Sequence, residues 1–586
     1  MPATFRRRTQ RAAFTAWCCA AQLAAGRHAA PAQAWTFQGD STPTWEQVID
    51  RYRALAEGRR SARLLEMGRD DGGQPLHLFV VSDGGPFTPD SIRARGRNVL
   101  FILNGIHPGE PDGIDASLLL AQALLDSDQL MGLTANTAVC IVPIYNVSGA
   151  LRRDTLSRVD QNGPAVFGQR ANARNLDLNR DLVKADARNT QALVQALRRW
   201  DPDVFIDTHV SDGADHRYVM ELLTTRREKL DPGVAHFMDS LLVPGVQRWM
   251  EARDVPMCPY FETLGPVPDS GLTAFFDGPR YTTGHAALFN TVGLMAESHM
   301  LKPYADRVNG TMQLMLGVLA VLDEHGGGLR RARAEAARNT AAAGGFPLHW
   351  RLDSTRVERL PWKGYAAVLE PSRVSGLPRV RYDRGRPVDS SVPWYDTYVP
   401  GPVRAKPAAY LLPQAWREVG HRLAMVGVPF TRLAHDTVLR AEVYRITDLR
   451  TVPEPYEGHY LHRDIRFTTG IEAVQARAGD LLIPMGTPYD RFLLEVLEPD
   501  APDSYFAWGF FDAILQQKEW FTDYVFEDVA ADLLAKDPAL RAALEARRAA
   551  DPAFAADAWA QLAFVFRRSP YMEPAHRRYP VLRLLR

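Results

Sequence analysis

Four short apolar runs limit what this chain can fold into more than any other feature. Residues 99–103, 139–144, 204–206 and 293–296 are nearly unbroken hydrophobic stretches, and each is followed closely by polar residues. Runs this short and this apolar suit strands covered on both faces, as in sheets built largely of parallel strands. Across 45–325 they alternate with amphipathic stretches at 115–125, 190–199, 236–253 and 311–325, and a further strand-like run lies at 76–81. The alternation predicts an α/β domain with a mixed, largely parallel sheet flanked by helices on both faces. In open sheets of this kind ligands collect beyond the carboxyl ends of the strands. The run at 99–103 delivers His107 and Glu110, and that at 139–144 delivers Asn146 and an arginine-bearing loop. The run at 204–206 delivers Asp207 and His209, and that at 293–296 delivers Glu297.

His107-Pro108-Gly109-Glu110 is a tight turn in which an imidazole and a carboxylate can face one cation. Zn²⁺ accepts both ligand types, and a distant third histidine would leave a fourth position for water. In a chain with 15 histidines, a solitary His-x-x-Glu is more often a solvated loop. The convergence of His209 and Glu297 on the same strand ends changes that reading to a hydrolytic metal site. His299 shares a strand face with Glu297 and is the alternative ligand, while His216 reads as a groove-wall or surface residue.

A length of 586 residues implies two domains. Lys+Arg and Asp+Glu both number 69, so no net field recruits nucleic acid or an anionic membrane. Arg6, Arg7, Arg8 and Arg11 precede a mostly apolar stretch at 12–25, and Ala32-Gln33-Ala34 offers a small-x-small cleavage site. This is the layout of a secretory signal over 1–34, and it predicts an exported chain, periplasmic or secreted. A cytoplasmic protein with an N-terminal tail is the alternative. No later segment has the roughly 18 uninterrupted apolar residues of a membrane span. Cys18 and Cys19 would leave with the signal; Cys140 reads as a buried free thiol, with a Cys140–Cys258 disulfide as the alternative. Residues 326–349 read as a helical linker. Residues 350–586 read as a second domain, β-rich to about 510 and helical over 512–565, with an alanine-rich helix at 535–549. The aromatic residues at 505–511 read as core or domain interface.

With His107-x-x-Glu110, Asp177-Leu178-Asn179-Arg180, His209 and Glu297 in this order, the chain resembles the M14 zinc carboxypeptidase family over about 45–325. The wording at 295–304 resembles a bacterial branch with an added C-terminal domain. The resemblance implies one Zn²⁺ per chain on His107, Glu110 and His209, with Glu297 as general base and then general acid. It implies that Asn179 and Arg180 hold the free C-terminal carboxylate of a peptide substrate. Asp177 would bond the far nitrogen of His107, and Tyr281 would close over the substrate. An oxyanion-stabilising arginine is expected among Arg152, Arg153, Arg158, Arg170 and Arg174, with Arg158 favoured. Pro108 and Gly109 depart from the family's digestive enzymes, which carry an arginine between the two ligands. Two other readings share these residues: a zinc amidohydrolase deacylating N-acyl amino acids, as aspartoacylases and desuccinylases do, and a non-catalytic zinc- or peptide-binding protein. Neither 272–283 nor 209–218 presents a clear acidic or basic selector for the released side chain.

Overall fold

The structure, a computed structural model, describes Phe37 and residues 39–585. The signal-like segment at 1–34, with Cys18 and Cys19, lies outside the described residues. The apolar runs form the middle of an eight-stranded sheet. Its strands are β1 (Ala62–Arg69), β2 (Pro75–Val81), β3 (Asn98–Leu103), β4 (Thr137–Val142), β5 (Val204–Ser211), β6 (Met220–Thr224), β7 (Met257–Pro259) and, after two short strands β8 (Glu262–Thr263) and β9 (Leu272–Thr273), β10 (Val292–His299). The order is β1-β2-β4-β3-β5-β10-β6-β7. The centre β4-β3-β5-β10 is parallel, and β1, β2 and β6 supply antiparallel pairings. Every residue of β3, β4, β5 and β10 is buried, which is why these strands read as apolar runs rather than as alternating patterns.

The helices that matter for the core are α1 (Trp45–Ala56), α2 (Asp112–Asp126), α3 (Arg188–Trp200), α4 (Val243–Glu251), α5 (Thr282–Ala287) and α6 (Tyr304–Ala342). One face of the sheet, with Leu100, Ile102, Ile141 and Ile206, packs against residues of α1, α2, α4 and α6. The other face, with Val99, Phe101, Cys140 and Phe205, packs against Leu193 and Trp200 of α3. That second layer is completed from far along the chain by Tyr410, Leu423, Tyr444, Phe492 and Tyr505.

Two strands run further than the apolar pattern shows. β5 continues to Ser211 and β10 to His299, so His209 and Glu297 are strand residues rather than loop residues. Polar groups that serve a buried site stay in the ladder. Residues 326–342 of the expected linker continue α6 without a break, and Leu329 and Ala336 are fully buried. Arg333 in that stretch bridges Asp201 at 2.7 Å and Asp203 at 2.9 Å.

Beyond α6, β11 (Glu358–Pro371) and β12 (Pro378–Tyr395) form a long hairpin, and β12 pairs with β9 of the first part. A six-stranded sheet contains Ala409–Leu412, Thr437–Thr451, His462–Ala476 and Leu481–Pro484. The alanine-rich helix expected at 535–549 is divided: Asp523–Lys536 ends, and Pro538–Ala550 begins with Asp537 accepting from the N–H groups of Ala539 and Leu540. An Asp cap followed by Pro is a helix start, and it outweighs the alanine content around it. Tyr505, Phe506, Trp508 and Phe511 lie in the core. Cys140 and Cys258 are buried free thiols on β4 and β7, with four strands between them.

Phe492 stacks on Phe289 with ring centroids 5.6 Å apart, joining the two parts of the chain. Replacing Phe492 with Ala is expected to cost about 3–5 kcal/mol in a denaturant titration. A cost under about 1 kcal/mol would show that the two parts do not share a core.

Candidate metal centre

The turn after β3 brings His107 and Glu110 together, with the Glu110 N–H donating to the His107 carbonyl at 2.9 Å. Gly109 is needed between them, because a Cβ there would meet Arg158 Cδ at 2.8 Å and the Gly168 carbonyl at 3.0 Å. β5, the neighbour of β3, supplies His209. Glu110 Oε2 lies 3.3 Å from His107 Nδ1 and 3.0 Å from His209 Nδ1. One ligand atom from each residue falls within 4.8 Å of the others, and all three side chains are buried.

The far ring nitrogens decide what this group can do. His107 Nε2 is 2.9 Å from Asp177 Oδ1, and His209 Nε2 is 2.8 Å from Asp207 Oδ2. A carboxylate on the far side keeps the ring proton there and leaves each Nδ1 lone pair free for a cation. Two imidazoles and a carboxylate presented in this way fit Zn²⁺. The part played by Asp207 was not read from the sequence. Its signal was there: an Asp-x-His pair in a strand puts both side chains on one face.

A second buried group, His216, Glu221 and His299, has similar spacing but the opposite proton arrangement. The N–H of Tyr218 donates to His216 Nδ1, and that of Leu301 to His299 Nδ1, each at 3.2 Å. The ring protons therefore sit on Nε2, pointing to Glu221 Oε1 at 2.8 Å and the Ala214 carbonyl at 3.0 Å. A metal on these nitrogens would have to displace the proton His216 shares with Glu221 and the one His299 gives to the Ala214 carbonyl. His216 is thus bonded to Glu221 and His299 to the backbone, and burial pushes His216 down to about 3 and His299 to about 4. His216 is fully buried beneath Trp362 of β11, with ring centroids 5.5 Å apart, so it is neither a groove-wall nor a surface residue. Glu221 and Trp362 were missed because no local pattern connects them to His216. His299 does not join the His107 group.

Glu297 on β10 is in register with His209 on β5 and with Glu221 on β6, so the three share one sheet face. Burial pushes its pKa up to about 8; His209 pulls against this, and Glu110 and Glu221 add to it. Burial also works against an ionised Glu110, yet His107 and Arg158 hold its pKa well below the usual carboxylate range.

Two of the five candidate arginines reach this centre. Arg158 bonds Glu110 Oε1 at 2.7 Å and Gln161 at 2.6 Å, and Arg170 bonds Asp177 at 2.8 Å with a longer contact to Glu110 at 3.5 Å. Arg152, Arg153 and Arg174 turn instead to backbone carbonyls of Asn172, Pro43 and Asp186. Asn179 Oδ1 accepts from the Thr282 N–H at 3.2 Å. The Arg180 guanidinium lies over the Tyr281 ring, 4.6 Å from its centroid. Thr282 also bonds Asp207 Oδ2 at 2.7 Å, linking the Tyr281 segment to the support of His209.

The model of the zinc carboxypeptidase family, Peptidase M14, matches residues 52–212. Carboxypeptidase 2 of Trichophyton rubrum is 22% identical over 506 residues, spanning 80% of this chain and 85% of the fungal one. Among solved structures, the metallo-carboxypeptidase of Burkholderia cenocepacia is 16% identical and covers 48% of this chain and 69% of its own, with a TM-score of 0.36. The metallo-carboxypeptidase of Pseudomonas aeruginosa in complex with (2-guanidinoethylmercapto)succinic acid is 17% identical and covers 49% and 68%, with a TM-score of 0.35. Residues 52–212 are thus similar to the zinc carboxypeptidase family. The matched stretch contains His107, Glu110, Asp177, Asn179, Arg180 and His209, whereas Tyr281 and Glu297 lie beyond it.

Asp207→Asn removes the carboxylate that fixes the His209 proton. It is expected to weaken zinc binding about 10- to 100-fold in chelator competition, with the fold retained. Unchanged affinity would show that Asp207 does not support a ligand.

Proposed function

We propose that this chain is a zinc-dependent carboxypeptidase that removes the C-terminal residue of peptides. The observation that supports it most is the register of Glu297 beside His209, which sets a buried carboxylate next to the His107, Glu110 and His209 group. Those three residues would hold one Zn²⁺. The ion when bound supplies Lewis acidity and acidifies water. In its ionised form, which a cation held beside it would favour, Glu297 takes the proton of the attacking water at its carboxylate and returns it to the departing amine. Arg158 and Arg170 set positive charge beside the reacting carbonyl, where negative charge grows in the transition state. Asn179 and Arg180 bind the terminal carboxylate, to which a planar guanidinium offers two parallel donors. Tyr281, already against Arg180, covers the released residue.

Export of the chain, read from the segment at 1–34, is part of this proposal. Among the described residues no helix is long and apolar enough to cross a membrane.

Glu297→Gln is expected to lower kcat on a blocked dipeptide by about 10²- to 10⁴-fold while zinc stays near one per chain. Full turnover by that variant would falsify the assigned base. Arg180→Ala is expected to raise KM for a blocked dipeptide about 10- to 100-fold, with no further loss on the corresponding C-terminal amide. Faster release of acetate or succinate from N-acyl amino acids than of the end residue from peptides would instead select a deacylase.

A further inference from the structure

We infer that the turn at 456–459, far along the C-terminal part of the chain, belongs to the metal centre, with Glu457 as a positioning residue that acts on His107 through Asp177. The inference rests on the zinc reading proposed above. Glu457 Oε2 accepts the Asp177 N–H at 2.7 Å. Asp177 Oδ1 in turn takes the Asn179 N–H at 2.8 Å and lies 2.9 Å from His107 Nε2. A contact that fixes the backbone of Asp177 therefore fixes the carboxylate that sets the proton and the orientation of His107. The other end of the same segment is anchored too. His459 Nε2 lies 2.6 Å from Asp186 Oδ2, and Arg422 Nη2 lies 2.9 Å from Asp186 Oδ1. Residues 177–186, which carry Asp177, Asn179 and Arg180, are thus clamped at both ends from the C-terminal side.

The turn itself gives an independent sign of function. Tyr456 and His459 exchange backbone hydrogen bonds of 2.7 and 3.1 Å around a two-residue loop. Its two residues, Glu457 and Gly458, have φ of +50° and +82°. Loops with positive φ at both central positions favour Asn, Asp or Gly at the first of them. Glutamate there carries the strain of the left-handed region without the local hydrogen bonding that lets Asn or Asp offset it. Its longer side chain is what reaches Asp177. A residue ill-suited to its turn and well-suited to a distant partner marks a position kept for that partner.

The test separates positioning from simple fastening. Glu457→Asn suits the turn but loses the reach to Asp177, and Glu457→Gln keeps an acceptor of full length. For the purified full chain loaded with zinc, release of the metal to a chromogenic chelator is measured alongside the thermal midpoint of the apo form. The Asn variant is expected to release zinc about tenfold faster with an apo midpoint equal to or above wild type, and the Gln variant within about twofold of wild type. Should the Asn variant not fold, Glu457→Gly, which also suits positive φ, carries the same comparison. A wild-type release rate in the folded Asn or Gly variant overturns the inference, as does equally fast release from the Gln variant. A wild-type chain that binds no zinc removes the proposed function first, and this inference with it.

Discussion

Two buried imidazoles can turn bare nitrogens toward the same cation only if something on the far side of each ring holds its proton. Asp177 does this for His107 and Asp207 for His209, at 2.9 and 2.8 Å. The rest of the centre is arranged around that requirement. Glu110 stays ionised between the two rings because His107 and Arg158 offset the cost of its burial. Thr282 bonds Asp207, which fastens the Tyr281 segment to the same support. The group of His216, Glu221 and His299 shows the contrast. It has similar residue types and similar burial, but backbone N–H groups occupy both Nδ1 atoms, so the ring protons sit on Nε2, directed to Glu221 and to the Ala214 carbonyl. Composition makes the two groups look alike, and hydrogen-bond direction separates them.

The centre also depends on a sheet with two covered faces. α1, α2, α4 and α6 cover one face, whereas the other is shared between α3 and residues beyond 400. The C-terminal part therefore completes the core of the part that bears the His107, Glu110 and His209 group, and its 456–459 turn lies against the segment that carries Asp177, Asn179 and Arg180. Stability and site geometry are tied to the same contacts.

Much of the fold was legible in the chain because buried parallel strands must be apolar throughout. The runs at 99–103, 139–144, 204–206 and 293–296 show that directly, and His107 and Glu110 are local to one turn. The limits of that reading lie where local pattern and tertiary packing disagree. β5 and β10 run past their apolar stretches to His209 and Glu297, since a buried site keeps polar residues in the ladder. The glycines at 326–328 lie inside α6, where packing of the residues around them outweighs their low helix propensity.

By itself the sequence determined the layered α/β sheet, the order of the polar residues along it and the set of arginines from which the centre could draw. These follow from strand burial and from the spacing of residues on one turn or one strand face. Tertiary structure alone decided that Arg158 and Arg170 reach Glu110 while Arg152, Arg153 and Arg174 turn to backbone carbonyls. It alone buried His216 under Trp362 and brought Glu457 to Asp177 across 280 positions. The reason is physical: a hydrogen bond between distant residues leaves no periodicity or composition along the chain, and it exists only where packing sets its donor and acceptor within reach.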